Sequence, residues 1–269
     1  SGCDTWKSIE MFAHERRRWL NQFIDLSSGI PSYYTIARVF SLIEPCEFER
    51  CLIDWVTHIT DLVAGDIISI DGKTQRGSSH IQGNKKANHL INAYSSKAQA
   101  TLASVKTQCK SNEIKGIPIL LKSLTIKDMI ITIDAVGTQK GIANLIRKKQ
   151  GNYILALKGN HKRFHKKVAT LFNRADDLEY NAMVYKKSHM HDYDHGRIEE
   201  REFTALPMMY LPKFKKDWKD LQTFIRVKAT RHLADGNIET SARYYISSIN
   251  LKSFNKICFA IREHWQVEN

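Results

Sequence analysis

Three carboxylates stand where apolar segments end. Asp71 follows the β-branched run Ile67-Ile68-Ser69-Ile70, Asp134 follows Met129-Ile130-Ile131-Thr132-Ile133, and Glu268 lies near the end of the last amphipathic segment. Ionised carboxylates are acceptor-only oxygen donors, the ligand type that hard cations such as Mg²⁺ or Mn²⁺ require. Gathered at one sheet edge, the three acids would hold two such ions about 3.5–4 Å apart, one activating an attacking oxygen and the other stabilising a leaving one. Each acid also has a plainer reading: Asp71-Gly72 is a common turn dipeptide, Asp134 can cap a helix starting near Thr138, and Glu268 can be a solvated helix residue. Glu199 and Glu200 in HGRIEER compete for the place of third acid, but they fall on an expected hairpin, and Glu268 is preferred.

Cations surround these acids. Lys73 and Arg76 follow Asp71 directly, either to meet DNA phosphates or to form a solvated basic loop. Lys158, His161 and Lys162 span the end of a strand and the start of a helix, where cations and free backbone N–H groups suit phosphate. Arg197 and Arg201 on the hairpin, and Arg262 and His264 beside Glu268, are further candidates of the same kind. His189, His191 and His195 with Asp192 and Asp194 are metal-ligating residue types, but no Cys or second cluster completes a pattern, and a polar loop is expected. His161 and His165 are four apart on a helix without the Glu of HExxH.

The whole chain shares this basic character. Lys and Arg total 41 against 28 Asp and Glu, a formal net charge of +13 over 269 residues with a pI near 9.5, which favours polyanionic partners, nucleic acid first. A 42% hydrophobic content permits a sizeable core, and no apolar run reaches the length of about 18 residues that a membrane helix needs. A cytoplasmic, nucleoid-associated location is expected. Cys3, Cys46, Cys51, Cys109 and Cys258 form no CxxC pair and read as reduced thiols. Ser1 in place of Met, and a closing helix without a stop signal, predict a piece of a longer protein.

Periodicity places the acids on elements. Residues 5–25 read as one amphipathic helix, and helical spacing resumes over 33–60 with a break at Pro45, so residues 1–62 form a small helical domain. From 63 to 269 the pattern is α/β. Strands over 66–71, 89–95 and 101–107 form a meander; a helix over 113–124 is expected to be regular only after Gly116 and Pro118. A strand over 129–134, too uniformly apolar to have a wet face, is central. Helix 139–149, strand 153–157 and helix 163–172 continue the alternation. Strand-like stretches at 183–185, 200–204, 223–229 and 244–248, with turns at 194–196 and 235–237, make a β-rich insertion over about 180–250. A helix over 252–267 closes the chain. This order is that of a ribonuclease H-like mixed sheet with flanking helices, a fold that places metal-binding carboxylates on its first strand, at the end of its fourth and on a late helix.

The segments SGCDTWKSIEMFA, GIPSYYTIARVF, ISIDGKTQRGS, ITIDAVGTQKGIANLI, NYILALKGNH, HGRIEER and IREHWQVEN resemble, in order and over nearly the whole chain, the signature blocks of the H-repeat-associated insertion-sequence transposases. The resemblance implies a transposase-associated helical domain before a DDE catalytic domain with a ribonuclease H-like core. By it Asp71 in IDGK is the first catalytic acid and Asp134 in IDAVGTQ the second. Glu268 in HWQVEN matches the third in HWxIEN, with Val267 in place of Ile. A further helical segment follows that block in the family, so the chain stops short at its active edge. The implied activity is metal-dependent cleavage and strand transfer of double-stranded DNA, at element ends and target, with a homodimer as a possible assembly. The alternative is a domesticated or decayed transposase fragment that binds DNA without cutting it; another ribonuclease H-like nuclease is disfavoured by the flanking blocks.

Overall fold

Strands that are apolar on both sides need cover on both faces, and the chain supplies it with helices. The computed structural model describes residues 2–59, 64–74, 89–107, 112–194, 197–232 and 238–268. The chain divides into two compact units, Ser1–Trp55 and Val56–Asn269.

The first unit is helical. α1 (Trp6–Glu15) starts from a capping box in which the Ser8 N–H donates to Thr5 Oγ1 at 3.1 Å and the Thr5 N–H donates to Ser8 Oγ at 3.0 Å. The single helix expected over 5–25 is interrupted at Arg16, and α2 covers only Arg17–Leu20. α3 (Tyr33–Leu42) follows an N-cap at Ser32. α4 (Pro45–Ile59) begins at Pro45, where a missing N–H leaves no helical bond unmade.

The second unit is built on one nine-stranded sheet in the order β3-β2-β1-β4-β5-β9-β8-β7-β6. β1 (Ile67–Thr74), β2 (His89–Ser95) and β3 (Ala100–Thr107) form the expected antiparallel meander, and β1, β4 (Ile130–Ile133) and β5 (Asn152–Leu157) run parallel. The strands β6 (Lys186–Asp194), β7 (Arg197–Pro207), β8 (Thr223–His232) and β9 (Ile238–Ser247) are antiparallel and join the same sheet through β9 against β5. The β-rich insertion is therefore a continuation of the central sheet. From Tyr244, level with Leu157, β9 reaches back to Ile238, so this arm extends about 20 Å beyond the end of β5 at 3.3 Å per residue. Residues 183–185 precede β6 and are not a strand, and His189 and His191 lie on β6 where a loop was expected; His195, Gly196 and the turn at 235–237 fall outside the described residues.

Side-chain alternation assigns helices to faces. α5 (Glu113–Ser123) packs on β2 and β3, α6 (Lys140–Lys148) on α5 and β5, and α7 (Lys162–Asp177) on β9, all on one face. α8 (Phe254–Glu268) crosses β1, β4 and β5 on the other. Its Ile257, Cys258 and Ile261 are buried against Ile67, Ile130, Ile154 and Tyr245. Burial pushes the free thiol of Cys258 up to about 12. Contrary to expectation, α5 is regular through Gly116 and Pro118. Gly116 is where the helix meets β2 most closely, since a Cβ there would lie 2.5 Å from Ile91 Cδ1.

Gly72 shows the same close approach from the sheet side. Asp71-Gly72 is mid-strand and not a turn, and the α5 face of Gly72 is covered by a buried pair in which His89 Nε2 and Glu113 Oε1 are 2.6 Å apart. A Cβ at Gly72 would clash with Glu113 Oε1 and lie 2.7 Å from His89 Nε2. Gly72→Ala is therefore expected to lose about 1–3 kcal/mol in urea unfolding, because neither buried partner can swing into solvent. An unchanged midpoint and slope would show that the pair yields.

α7 is fixed by a second polar contact. Arg226, 1% exposed, donates from Nη1 to Asp176 Oδ2 at 2.7 Å and from Nη2 to Asp176 Oδ1 at 2.8 Å, and Lys228 Nζ adds a bond of 3.0 Å. The Arg226 guanidinium holds the Asp176 carboxyl well below the ordinary carboxylate value. A depressed folded value means that the stabilisation is present above the unfolded pKa, about 3.9, and is lost as pH falls through the folded one. Asp176→Asn should cost roughly 1.5–3 kcal/mol at neutral pH, with the gap to the parent protein narrowing below about pH 4. Denaturation at pH 7 and pH 2.5 reads this; an equal gap at both would exclude the linkage.

Candidate active site

Register places two acids side by side. Ile67, Ile68, Ser69 and Ile70 of β1 pair in parallel with Ile130, Ile131, Thr132 and Ile133 of β4, so one step further Asp71, still within β1, stands beside Asp134, just past the end of β4. Period-2 alternation then puts Ser69, Asp71, Thr132 and Asp134 on the face that α8 covers. The Thr132 hydroxyl donates to Ser69 Oγ at 3.0 Å and lies 3.0 Å from His264 Nδ1 of α8. With the hydroxyl proton given to Ser69, Nδ1 carries the proton in its bond to Thr132. His264 is 5% exposed, and burial lowers its imidazole below the ordinary value against the opposing charges of Asp71 and Asp134.

The loop after β4 is cross-linked. Asp134 Oδ1 accepts the N–H groups of Val136 and Gly137 at 3.1 and 3.2 Å, leaving Oδ2 uncommitted among the described residues. Thr138 Oγ1 donates to the carbonyls of Asp134 and Ala156 at 3.1 and 2.6 Å. From the turn after β5, Asn160 Nδ2 donates to the Ala135 carbonyl and His161 Nε2 donates to the Thr138 carbonyl at 2.6 Å. Gly137 is required where Ile133 and Ile117 close in, a Cβ there falling 2.6 Å from Ile117 Cδ1.

α8 carries the third candidate to the same edge. β9 ends beside the start of β5, with Ser247 opposite Ile154, and α8 begins shortly afterwards at Phe254. The helix therefore starts at the N-terminal ends of β1, β4 and β5, and it reaches Thr132 at His264. From Thr132 to Asp134 the strand advances about 6.6 Å, and from His264 to position 268 the helix advances about 6 Å. Position 268 thus falls level with the two aspartates, on the stripe of Ile257, Ile261 and His264. The side chain of Glu268 lies outside the described residues. Among the described residues no three His, Cys, Asp or Glu side chains gather closely enough to hold a metal. Glu199 stands four strands from β4, about 19 Å by strand spacing, and is paired with Arg201 at 2.9 Å and Arg231 at 3.3 Å.

The expected phosphate contacts divide. Lys73 lines a cleft of about 370 Å³ with Asp71, Asn92, Tyr94 and Glu263. Lys158 and Lys162 are exposed just beyond β5, on the edge that carries the acids. Arg262 is half-buried on α8. Two expectations need correction: His264 is buried under the aspartates, and His161 is committed to the Thr138 carbonyl with its ring 5.3 Å from Trp218. Arg201 is turned to Glu199 and to the Trp265 ring, 4.7 Å from its centroid. The side chain of Arg197, on β7 opposite Asp194, and all of Arg76 lie outside the described residues. Glu263, Asn160 and Arg243 were missed by sequence reading. The four-residue spacing of His264 and Glu268, and the shared strand parity of Ser69 with Asp71 and Thr132 with Asp134, are signals that could have assigned His264 to the site.

Among the described residues no helix is long and apolar enough to cross a membrane. The family model described as DDE_Tnp_1-associated matches residues 1–56. Over 275 residues the chain is 38% identical to "Putative transposase YncI" of Escherichia coli O157:H7, covering all of this chain and 69% of that protein. It is 37% identical over 273 residues to "H repeat-associated putative transposase YhhI" of Escherichia coli K12, covering all of this chain and 71% of the relative. Against the similarly named YbfD of the same strain the identity is 39% over 201 residues, 75% of this chain and 78% of the relative. With the helical unit, the paired aspartates and full-length likeness in agreement, the chain belongs to the H-repeat-associated transposase family.

Proposed function

We propose that the chain contains the catalytic core of a DDE transposase with a ribonuclease H-like sheet, acting in metal-dependent cleavage and strand transfer of double-stranded DNA. The observation that carries this reading is the position of Asp71 within β1 beside Asp134 just past the end of β4, on one face, with position 268 of α8 level with them. The meander, crossover helices and parallel strands occur in the order that fold requires.

The donor set fits Mg²⁺ or Mn²⁺. Asp71, Asp134 and Glu268 would hold the ions through hard carboxylate oxygens, and the open Oδ2 of Asp134 suits that role. Bound there, two ions supply activation of the attacking oxygen and stabilisation of the leaving one. The protein contributes the rest. Thr138, Asn160 and His161 keep the Asp134 loop from moving, and His264 with Thr132 and Ser69 fixes α8 to the two strands. Lys73, Lys158 and Lys162 offer charge to phosphates on the same edge, through contacts that position DNA without reading its sequence.

Asp71→Asn and Asp134→Asn should each abolish Mg²⁺-dependent nicking of supercoiled plasmid. The loss should be at least about 100-fold, since even partners behind a metal ligand cost up to that much. DNA affinity measured in EDTA should not fall, and thermal stability without metal should hold or rise as repulsion between the two acids is relieved. Full nicking activity in either variant would remove these residues from the mechanism. A parent protein that binds DNA and never nicks it would favour a binding role.

A further inference from the structure

A second site lies on the α8 face of the sheet, where the β6–β9 arm runs past the edge bearing the aspartates. Arg201 of β7 and Arg243 of β9 both lie against the Trp265 indole, 4.7 and 5.4 Å from its centroid, and the Trp265 Nε1–H donates to the Tyr245 hydroxyl at 3.2 Å. Between them Ala229 and Ser241 are small, which leaves a pocket of about 110 Å³ walled by Arg201, Arg231, Arg243 and Glu199. Stacking on an indole orients a guanidinium and leaves its N–H edge to bind an anion. Arg243 is exposed and has no carboxylate partner among the described residues.

Glu199 occupies this cluster as an anion would. Its Oε2 accepts from Arg201 Nη2 at 2.9 Å and its Oε1 from Arg201 Nε at 3.3 Å, and Oε1 also lies 3.3 Å from Arg231 Nε. This forked arrangement is the one arginine makes with carboxylate and phosphate alike. Asp134 is level with Tyr245 through Ala156, so Arg243 is two residues further along and two strands across. Strand spacing puts it about 12 Å from Asp134, an axial rise of about three to four base pairs of B-form duplex.

Resting on the transposase reading, we infer that the Arg201–Trp265–Arg243 cluster is a phosphodiester-binding site for the DNA strand held at Asp71 and Asp134. Glu199 is its built-in counter-ion. It keeps the arginines oriented in the free protein and competes with the backbone phosphate when DNA arrives. The acid within the site therefore opposes DNA binding while the cations around it favour it, and substitutions at the two kinds of residue have effects of opposite sign.

The test is fluorescence anisotropy with a labelled duplex of arbitrary sequence, in EDTA, across a series of NaCl concentrations. Arg243→Gln should weaken binding several-fold and reduce the slope of log K against log salt by about 0.9, one phosphate contact. Glu199→Gln should tighten binding by about two- to fivefold, the worth of one solvent-screened pair. Lys256→Gln, which removes an equal charge from the exposed start of α8, should leave the slope near that of the parent. Misfolding would weaken both pocket variants, so the rise for Glu199→Gln cannot come from damage. If the parent binds DNA and Arg243→Gln behaves like Lys256→Gln, or Glu199→Gln fails to tighten binding, the pocket is not a phosphate site and the transposase reading stands. If the parent does not bind DNA at all, both fall.

Discussion

The parallel register of β1 against β4 governs this molecule. Side chains alternate along a strand, so a slip of one residue would send Asp71 to the α5 face while Asp134 stayed beneath α8. Hydrophobic contact alone does not prevent that slip, because Ile67, Ile68, Ile70, Ile130, Ile131 and Ile133 are apolar on both faces. The polar trio of Ser69, Thr132 and His264 does. All three are buried, and a shifted register would strand hydroxyl and imidazole groups at about 1–3 kcal/mol each. Register at the edge that carries the two aspartates thus comes from a small hydrogen-bonded knot inside an otherwise interchangeable apolar core.

The two sheet faces then serve different ends. On the α5, α6 and α7 face, glycines at 72, 116 and 137 admit close approach, and the buried pair of His89 with Glu113 and the half-buried pair of Arg226 with Asp176 fix the helices. That face is backing. On the opposite face of this unit α8 packs over β1, β4 and β5, and the arm runs on past the end of β5. Under the proposed reading a DNA duplex would need a positively charged surface held rigidly beside the aspartates. Continuing the sheet achieves this more firmly than a separate insertion, since β9 and β5 share backbone hydrogen bonds and the arm cannot swing independently of the aspartates.

Local chemistry was legible in the sequence and long-range pairing was not. Apolar β-branched runs ending in Asp71 and Asp134 announced buried strands with acids at their tips, and the alternation of elements announced a mixed sheet. The turn reading of Asp71-Gly72 failed because the glycine answers to His89 and Glu113, residues distant in sequence. Pro118 and Gly116 sit within a helix for a similar reason: packing on β2 outweighs their poor local propensity. His161 and His264 read as surface cations because they are surrounded by Lys, Arg and Glu in the chain. Their partners, the Thr138 carbonyl and the Thr132 hydroxyl, appear only once strands and loops are folded together. Strand pairing of the β-rich region is likewise invisible to periodicity, which reports the wet and dry faces of a strand and says nothing of its neighbour.

Acidic residues in this chain take their roles from their neighbours. Asp71 and Asp134 are brought side by side on neighbouring strands, where their like charges repel and a divalent cation would relieve the repulsion. Glu199, on the same sheet face, is already saturated by Arg201 and Arg231 and has no such need. The two environments differ in sign: the aspartate pair concentrates negative charge, and the arginine pocket, where Arg243 has no carboxylate partner among the described residues, concentrates positive charge. Under the proposed reading, a phosphodiester chain with its accompanying cations would meet both at once. The separation of the two environments along the sheet is set by strand spacing and not by any flexible element, and on that reading it would fix the path of the chain across the protein.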